Sequence, residues 1–238
     1  MKLAIITAMH GRPEVTKAFC MASARIKKDT GVETFSAVTR NDNVNIGLCE
    51  QYGIRYTEQR NDPLGLKWNQ SLWFANQESD FTHIVILGSD DIASTTFIEH
   101  QLTLEEYDLA GVNDLWFWGM NPKRDGYKKF GYFRNKINGL LGVGRLVGRN
   151  LLEMLGGSPW ESSLNVGLDR SLIDKVRPLS ENTLEYSLLD EDLFIVDIKR
   201  DLNVSSMAPA LRTMEIQDVD SINKYLPEDE VEYLKSLV

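Results

Sequence analysis

Asp90 and Asp91 stand side by side where the apolar run His83-Ile84-Val85-Ile86-Leu87 ends through Gly88-Ser89. An apolar run without alternation suits a strand buried on both faces of a sheet. Two adjacent carboxylates at its tip are costly to desolvate unless a cation or hydrogen-bond donors face them. Hard oxygen ligands suit Mg²⁺ or Mn²⁺, and such an ion suits a diphosphate. In open α/β sheets, ligands bind at the carboxyl ends of the strands. The alternative chemistry is capping, in which Ser89, Asp90 or Asp91 satisfies the free amides of a helix beginning near Ser94.

Further polar groups fall where neighbouring strands should end. They are Thr7 to Arg12, then Asn41 and Asp42, then Asn61 and Asp62, with Lys67 and Asn69 early in the following helix. Parallel strands bring such ends to one edge, giving acceptors for a base and ribose and cations for phosphates. Gly65-Leu66-Lys67 at a helix start offers backbone N–H groups and an ammonium to a phosphate; the alternative for Lys67 and Asn69 is solvated helix surface. The chain has no phosphate-loop motif and no GxGxxG, which weakens ATPase and dinucleotide readings. Cys20 and Cys49 make neither a metal spacing nor a disulfide framework, and His10, His83 and His100 make no zinc motif.

The elements that must carry these groups alternate through the first half. Strands are expected at Leu3 to Thr7, Thr34 to Thr39, Ile54 to Thr57, the acid-tipped run, and Leu115 to Trp118. Between them, helices are expected from Pro13 to about Lys27, Val44 to Tyr52, Leu66 to Gln77 and Thr95 to Tyr107. This alternation predicts an α/β fold, a mostly parallel sheet with helices on both faces, followed by a smaller mixed C-terminal part. In the second half, Tyr127 to Arg134 reads as a strand or hairpin arm, Leu146 to Leu155 as helix, Gly167 to Val176 as helix and Leu193 to Ile198 as strand. Pro227, followed by acids, should open a last helix.

The 238 residues suffice for one sizeable domain, placed at 1–206, with a donor half at about 1–121, an acceptor half at about 122–206 and a helical extension at 207–238. Apolar residues make up 42% and charged residues 26%, as in ordinary globular proteins. No apolar run approaches a membrane span, and the N-terminus turns polar too soon for a signal peptide; two cysteines without a disulfide framework make a reducing cytoplasm the expectation. The net charge of −9 argues against nonspecific nucleic-acid binding by the whole surface. Yet Lys123 to Arg149 holds eight basic residues against the single acid Asp125. Tyr127, Phe130, Tyr132 and Phe133 interleave with them. Basic plus aromatic suits a polyanion or single-strand platform; the alternative is a hairpin with aromatics inward and lysines in water.

The ordered segments LAIITAMHGRPEVTKAF, PLGLKWNQSLWFA, HIVILGSDD, GVGRLVGRNLLEMLG and NVGLDRSL resemble the GT-A (Rossmann-like) glycosyltransferases, especially those like family 2. The resemblance covers roughly Lys2 to Leu172 and rests on order and spacing. It implies a nucleotide-sugar donor, a divalent metal (Mn²⁺ or Mg²⁺) and sugar transfer. Ala8, His10, Arg12 and Asp42 match the nucleotide-holding positions, with Lys67, Asn69 and Asp90 also assigned to the donor side. Asp91 matches the metal ligand, and Asp169 matches the base of inverting members. Ser89 stands where the family often has a first aspartate, and Leu168 where many members have glutamate. No histidine follows His100, so Asn203, Ser205 or water would replace the late metal-binding histidine.

The expected function is therefore inverting, metal-dependent transfer from a nucleotide sugar, a UDP-sugar by preference, to an acceptor hydroxyl. Lys128, Lys129, Arg134 and Arg145 are the expected acceptor-side groups. The acceptor stays open between a saccharide or glycoconjugate and a nucleic acid such as hydroxymethylated DNA. The competing classes are a nucleotidyltransferase and a non-catalytic nucleotide- or glycan-binding module.

Overall fold

The computed structural model describes residues 1–121, 127–134, 139–199 and 214–237. Its strands are β1 (Leu3–Met9), β2 (Glu33–Thr39), β3 (Arg55–Gln59), β4 (His83–Ile86), β5 (Asp91–Ala93), β6 (Leu109–Val112), β7 (Asp114–Asn121), β8 (Tyr127–Arg134), β9 (Arg145–Gly148), β10 (Thr183–Tyr186), β11 (Ile195–Lys199) and β12 (Glu215–Ile216). The helices are α1 (Pro13–Thr30), α2 (Asn43–Tyr52), α3 (Leu64–Glu78), α4 (Thr95–Leu102), α5 (Arg149–Met154), α6 (Leu168–Val176) and α7 (Glu228–Ser236).

Seven strands form the main sheet in the order β10-β6-β9-β4-β1-β2-β3. The run β4-β1-β2-β3 is parallel throughout, so its polar C-terminal ends share one edge. The second sheet, β12-β8-β7-β11-β5, is mixed. Period-two alternation sorts side chains onto the two faces. Ala4, Ile6, Ile84, Ile86 and Val147 pack with α3, α5 and α6, whereas Leu3, Ile5, Val85 and Leu146 pack with α1, α2 and α4. Each such buried Leu, Ile or Val contributes about 1.5–3 kcal/mol, and this two-faced core carries the site edge. The expected α/β fold, a mostly parallel sheet covered on both faces, is the one observed.

Two expectations need correction. The run from Leu146 is not a single helix: Arg145–Gly148 is β9, and only Arg149–Met154 is helical. β9 pairs antiparallel with both β4 and β6, and two long-range ladders outweigh local helix preference. Helix α4 stops at Leu102 rather than Tyr107, because the chain must turn before entering β6. The basic–aromatic segment is a hairpin arm, one of the two readings the sequence left open, and Phe130 and Tyr132 face inward. Phe130 and Tyr132 are buried; Phe130 stacks on Trp116 at 5.2 Å between centroids, and Tyr132 also touches Trp116. Tyr132 donates to buried Asp114. These two rings are spent on the core and cannot stack on bases.

Candidate active site

β4 ends at Ile86 and the chain re-enters a strand at Asp91, the first residue of β5. β5 pairs antiparallel with β11, which sets Asp197 directly opposite Asp91. Carboxylate oxygens of Asp90, Asp91 and Asp197 all lie within 4.8 Å of one another. Ser94, not the acids, caps α4, its Oγ accepting from Phe97 N at 3.1 Å. The capping alternative for Asp90 and Asp91 thereby loses its helix.

Two cations meet this acidic group. Arg12 Nη1 donates to Asp90 Oδ2 at 2.9 Å and Nη2 to Ser89 Oγ at 3.4 Å. Lys199 Nζ lies 2.6 Å from Asp197 Oδ2, on the same face of β11 by the two-residue repeat. Burial pushes the Asp91 carboxyl well above its ordinary range, with Asp197 and Asp90 adding like-charge repulsion. Burial also pushes Asp197 up, to about 7, against the opposing pull of Lys199. Lys199 itself is raised: burial works against its charge, but Asp197 and Asp90 outweigh it.

The donor set fits a hard divalent cation. Asp197 Oδ1 is buried without a hydrogen-bond partner among the described residues. Gly88 has no room for a side chain, since a Cβ there would sit 2.7 Å from Asp90 Oδ1 and 2.9 Å from Asp91 Oδ2. Its N–H donates to Asp91 Oδ2 at 2.5 Å, which fixes that carboxylate. Asp91 and Asp197 are the groups able to hold such an ion. The sequence signal for Asp197 was a lone acid inside the apolar run Ile195-Val196-Asp197-Ile198. The positions expected to replace the late histidine, Asn203 and Ser205, lie outside the described residues.

The loop after β1 closes over this edge. Arg12 caps α1 in the left-handed region at φ 47, which turns its side chain toward Asp90. Asp42 braces the same loop: its Oδ2 accepts from Gly11 N at 2.9 Å and from Asn45 Nδ2 at 2.7 Å. His10 is exposed, its Nδ1 3.0 Å from Thr39 Oγ1; burial, then Lys67, lower its pKa. Ala8 is half-buried beside Ala37 of β2. These four positions lie at the ends of β1 and β2 on this edge.

Lys67 and Asn69 are buried rather than exposed on an open helix start. Lys67 is fully buried and donates to Met9 O, to Thr39 Oγ1 at 2.6 Å and to Asn61 Oδ1 at 3.0 Å. It ties the ends of β1, β2 and β3 together. Burial depresses its pKa to about 7, with Asp42 opposing. The start of α3 is also covered: Gly65 N donates to Leu164 O at 2.8 Å and Leu64 N to Asn165 Oδ1 at 2.7 Å. No phosphate can reach those amides. Asn69 grips Trp160, donating to its O at 2.8 Å and accepting from its N at 3.2 Å. Asn69→Ala should cost about 1–3 kcal/mol, because Trp160 keeps buried main-chain groups without partners. A urea midpoint unchanged from wild type would refute this grip.

Asp169 lies in the first turn of α6 and is exposed. Its carboxylate rests against Gly142, where a Cβ would overlap it. Gly144 N donates to Ile86 O at 2.8 Å and Arg145 pairs with Ile86, so this segment abuts the tip of β4. Asp169 therefore stands at the same sheet edge as the acidic cluster. Arg145, expected at an acceptor surface, is 1% exposed and lies under the site. Arg134 is exposed and lies 3.4 Å from Asp190. Lys128 and Lys129 belong to β8 by their backbone, and their side chains lie outside the described residues.

No protein-family model matches the sequence, and no curated protein sequence does so. Solved structures match its fold. S. aureus TarS 1–349 in complex with UDP-GlcNAc aligns at TM-score 0.60 and 13% identity, over 85% of this chain and 60% of that one. The chain thus spans 60% of the length of that structure. Glucosyl-3-phosphoglycerate synthase from Mycobacterium tuberculosis, in complex with Mn²⁺, UDP and phosphoglyceric acid, aligns at 0.53 and 12% identity, over 87% and 72%. The inositol-1-phosphate CTP transferase from T. maritima aligns at 0.51 and 10% identity, over 87% and 93%. No helix among the described residues is long and apolar enough to cross a membrane. The chain has a GT-A-like fold, the architecture of these glycosyltransferases and of this nucleotidyltransferase.

Proposed function

We propose that the protein transfers a sugar from a nucleoside-diphosphate sugar, of the uridine type, to an acceptor hydroxyl with inversion. The carboxylate cluster of Asp90, Asp91 and Asp197, at one sheet edge with Asp169, carries this reading. The UDP-GlcNAc complex of TarS and the Mn²⁺–UDP complex of the synthase support the donor class. Ala8, His10, Arg12, Asp42 and Asp90 hold the nucleotide, and Asp91 and Asp197 hold Mn²⁺ or Mg²⁺. When bound, such an ion stabilises the charge that develops on a leaving diphosphate. Arg12 adds a fixed cation on the same side. Asp169 accepts the acceptor's hydroxyl proton, and one base opposite the leaving group yields inversion.

A saccharide or glycoconjugate is the favoured acceptor, because Phe130 and Tyr132, two of the rings a DNA acceptor would use, are buried in the core. Lys128, Lys129 and Arg134 remain the acceptor-side candidates. Transfer to a neutral saccharide should change little with salt, whereas a polyanion would give a steep slope through counterion release. Incubation with UDP-sugars and a saccharide panel, with Mn²⁺ or EDTA, tests the proposal; absence of any metal-dependent product would contradict it. The match covering 93% of the CTP transferase favours nucleotidyl transfer as the second reading. Pyrophosphate release from CTP or UTP with a sugar phosphate would identify that chemistry instead.

Proton competition gives a further test. Asp197 is raised to about 7, so the metal-free fold binds a proton that the unfolded chain lacks between the ordinary carboxylate range and neutrality. Its stability contribution is complete below that range and is lost as pH rises toward 7. A divalent cation needs the ionised form. Thermal stabilisation by Mn²⁺ should therefore grow from about pH 5.5 to about pH 8. A pH-independent shift would rule out these carboxylates as ligands.

A further inference from the structure

The segment beneath Asp169 is pinned and shaped around it. Gly139 N donates to Glu185 Oε1 at 3.3 Å, Leu141 N to Val112 O at 2.9 Å and Gly144 N to Ile86 O at 2.8 Å. Between these ties lies Gly142, the residue on which the Asp169 carboxylate rests. Its backbone is not in the left-handed region, so the missing side chain answers to space rather than to conformation. At the end of the segment, Arg145 turns its guanidinium inward. Nη1 donates to Asp169 O at 3.3 Å and Nη2 to Leu140 O at 3.3 Å. Arg145 is 1% exposed, and its Nε has no hydrogen-bond partner among the described residues. A buried guanidinium is costly where an apolar side chain would pack more cheaply. Here it links the helix that bears the carboxylate to the loop that supports it.

We infer that Gly142 and Arg145 are positioning residues that together form a seat for the Asp169 carboxylate at the sheet edge. The inference rests on Asp169 as the base. Gly142 leaves the space in which the carboxylate lies, and Arg145 fixes the main chain on both sides of that space. A carboxylate displaced by about 1 Å from its productive position loses up to about 10²-fold in rate.

The test uses Gly142→Ala, Arg145→Lys and Arg145→Met in the wild-type chain and again with Asp169→Asn. The readouts are Tm, UDP-sugar affinity, and kcat and KM for transfer. Gly142→Ala should keep Tm and donor affinity, because the group it displaces is an exposed side chain, while kcat falls about 10- to 100-fold. Arg145→Met should lower kcat similarly, and Arg145→Lys should recover part of the loss. With Asp169→Asn present, none of the three should lower kcat further, since residues acting through one group are not additive. An additive loss there, or wild-type kcat in a stably folded Gly142→Ala, overturns the seat. If Arg145→Met does not fold, Gly142→Ala alone decides. Near-normal turnover in Asp169→Asn itself removes the base assignment and the seat with it, and is recognisable before any other variant is made.

Discussion

Asp169→Asn should fold, bind donor as the wild type does, and lose on the order of 10² to 10⁴ in turnover. The side chain is exposed in the first turn of α6, so the neutral isostere removes no buried contact. What it removes is a proton acceptor at the edge that also carries the acidic cluster. Donor affinity should hold because the nucleotide is assigned to the loops after β1 and β2, which Asp42 and Asn45 brace independently. The next carboxylates to test are Glu161, 3.7 Å from Lys175, and Asp190, 3.4 Å from Arg134. Both sit in surface ion pairs. Near-normal turnover in Asp169→Asn, measured as initial rates at saturating donor, would move the role to one of them.

Asp91→Asn should abolish metal-supported nucleotide binding while sparing the fold. Its oxygen still accepts from Gly88 N–H, so the turn between β4 and β5 survives. Removing a buried negative charge that faces two other carboxylates should leave the metal-free protein as stable at neutral pH, or more so. The sign follows from its raised pKa: burial and repulsion make the ionised form unfavourable in the fold. With Mn²⁺ present the effect reverses, since the cation loses a charged ligand. Breaking a buried charge pair costs about 3–5 kcal/mol, roughly 10²- to 10⁴-fold in affinity. Asp197→Asn should behave alike, as its carboxylate is the partner across the β5–β11 ladder. Equal Mn²⁺ affinity in wild type and both variants would show that the cluster does not hold the ion.

The acid-tipped strand was legible because its signal is local: an apolar run, a glycine and two carboxylates in succession. The strand–helix alternation that brings β1 to β4 into one parallel edge was legible for the same reason. What escaped depended on partners far along the chain. Arg145–Gly148 is apolar enough for either state, and only β4 and β6 on either side make it a strand. Lys67 and Asn69 look like polar groups on an open helix start, until the ends of β1, β2 and β3 enclose Lys67 and Trp160, about ninety residues later, holds Asn69. Asp197 joins the site through a strand pairing across a hundred residues. The aromatics of β8 were visible as a pattern, but Trp116 decides that Phe130 and Tyr132 face inward. Residue type thus pointed to candidate groups, and tertiary pairing decides which of them are buried and which meet at the sheet edge.

Calorimetric titration of the wild-type chain with UDP, once with Mn²⁺ and once with EDTA, tests the central claim most directly. The account predicts saturable one-site binding with Mn²⁺, lost in EDTA and lost again in Asp91→Asn. UDP binding of equal affinity in all three conditions would contradict a metal-supported nucleotide site at Asp90, Asp91 and Asp197.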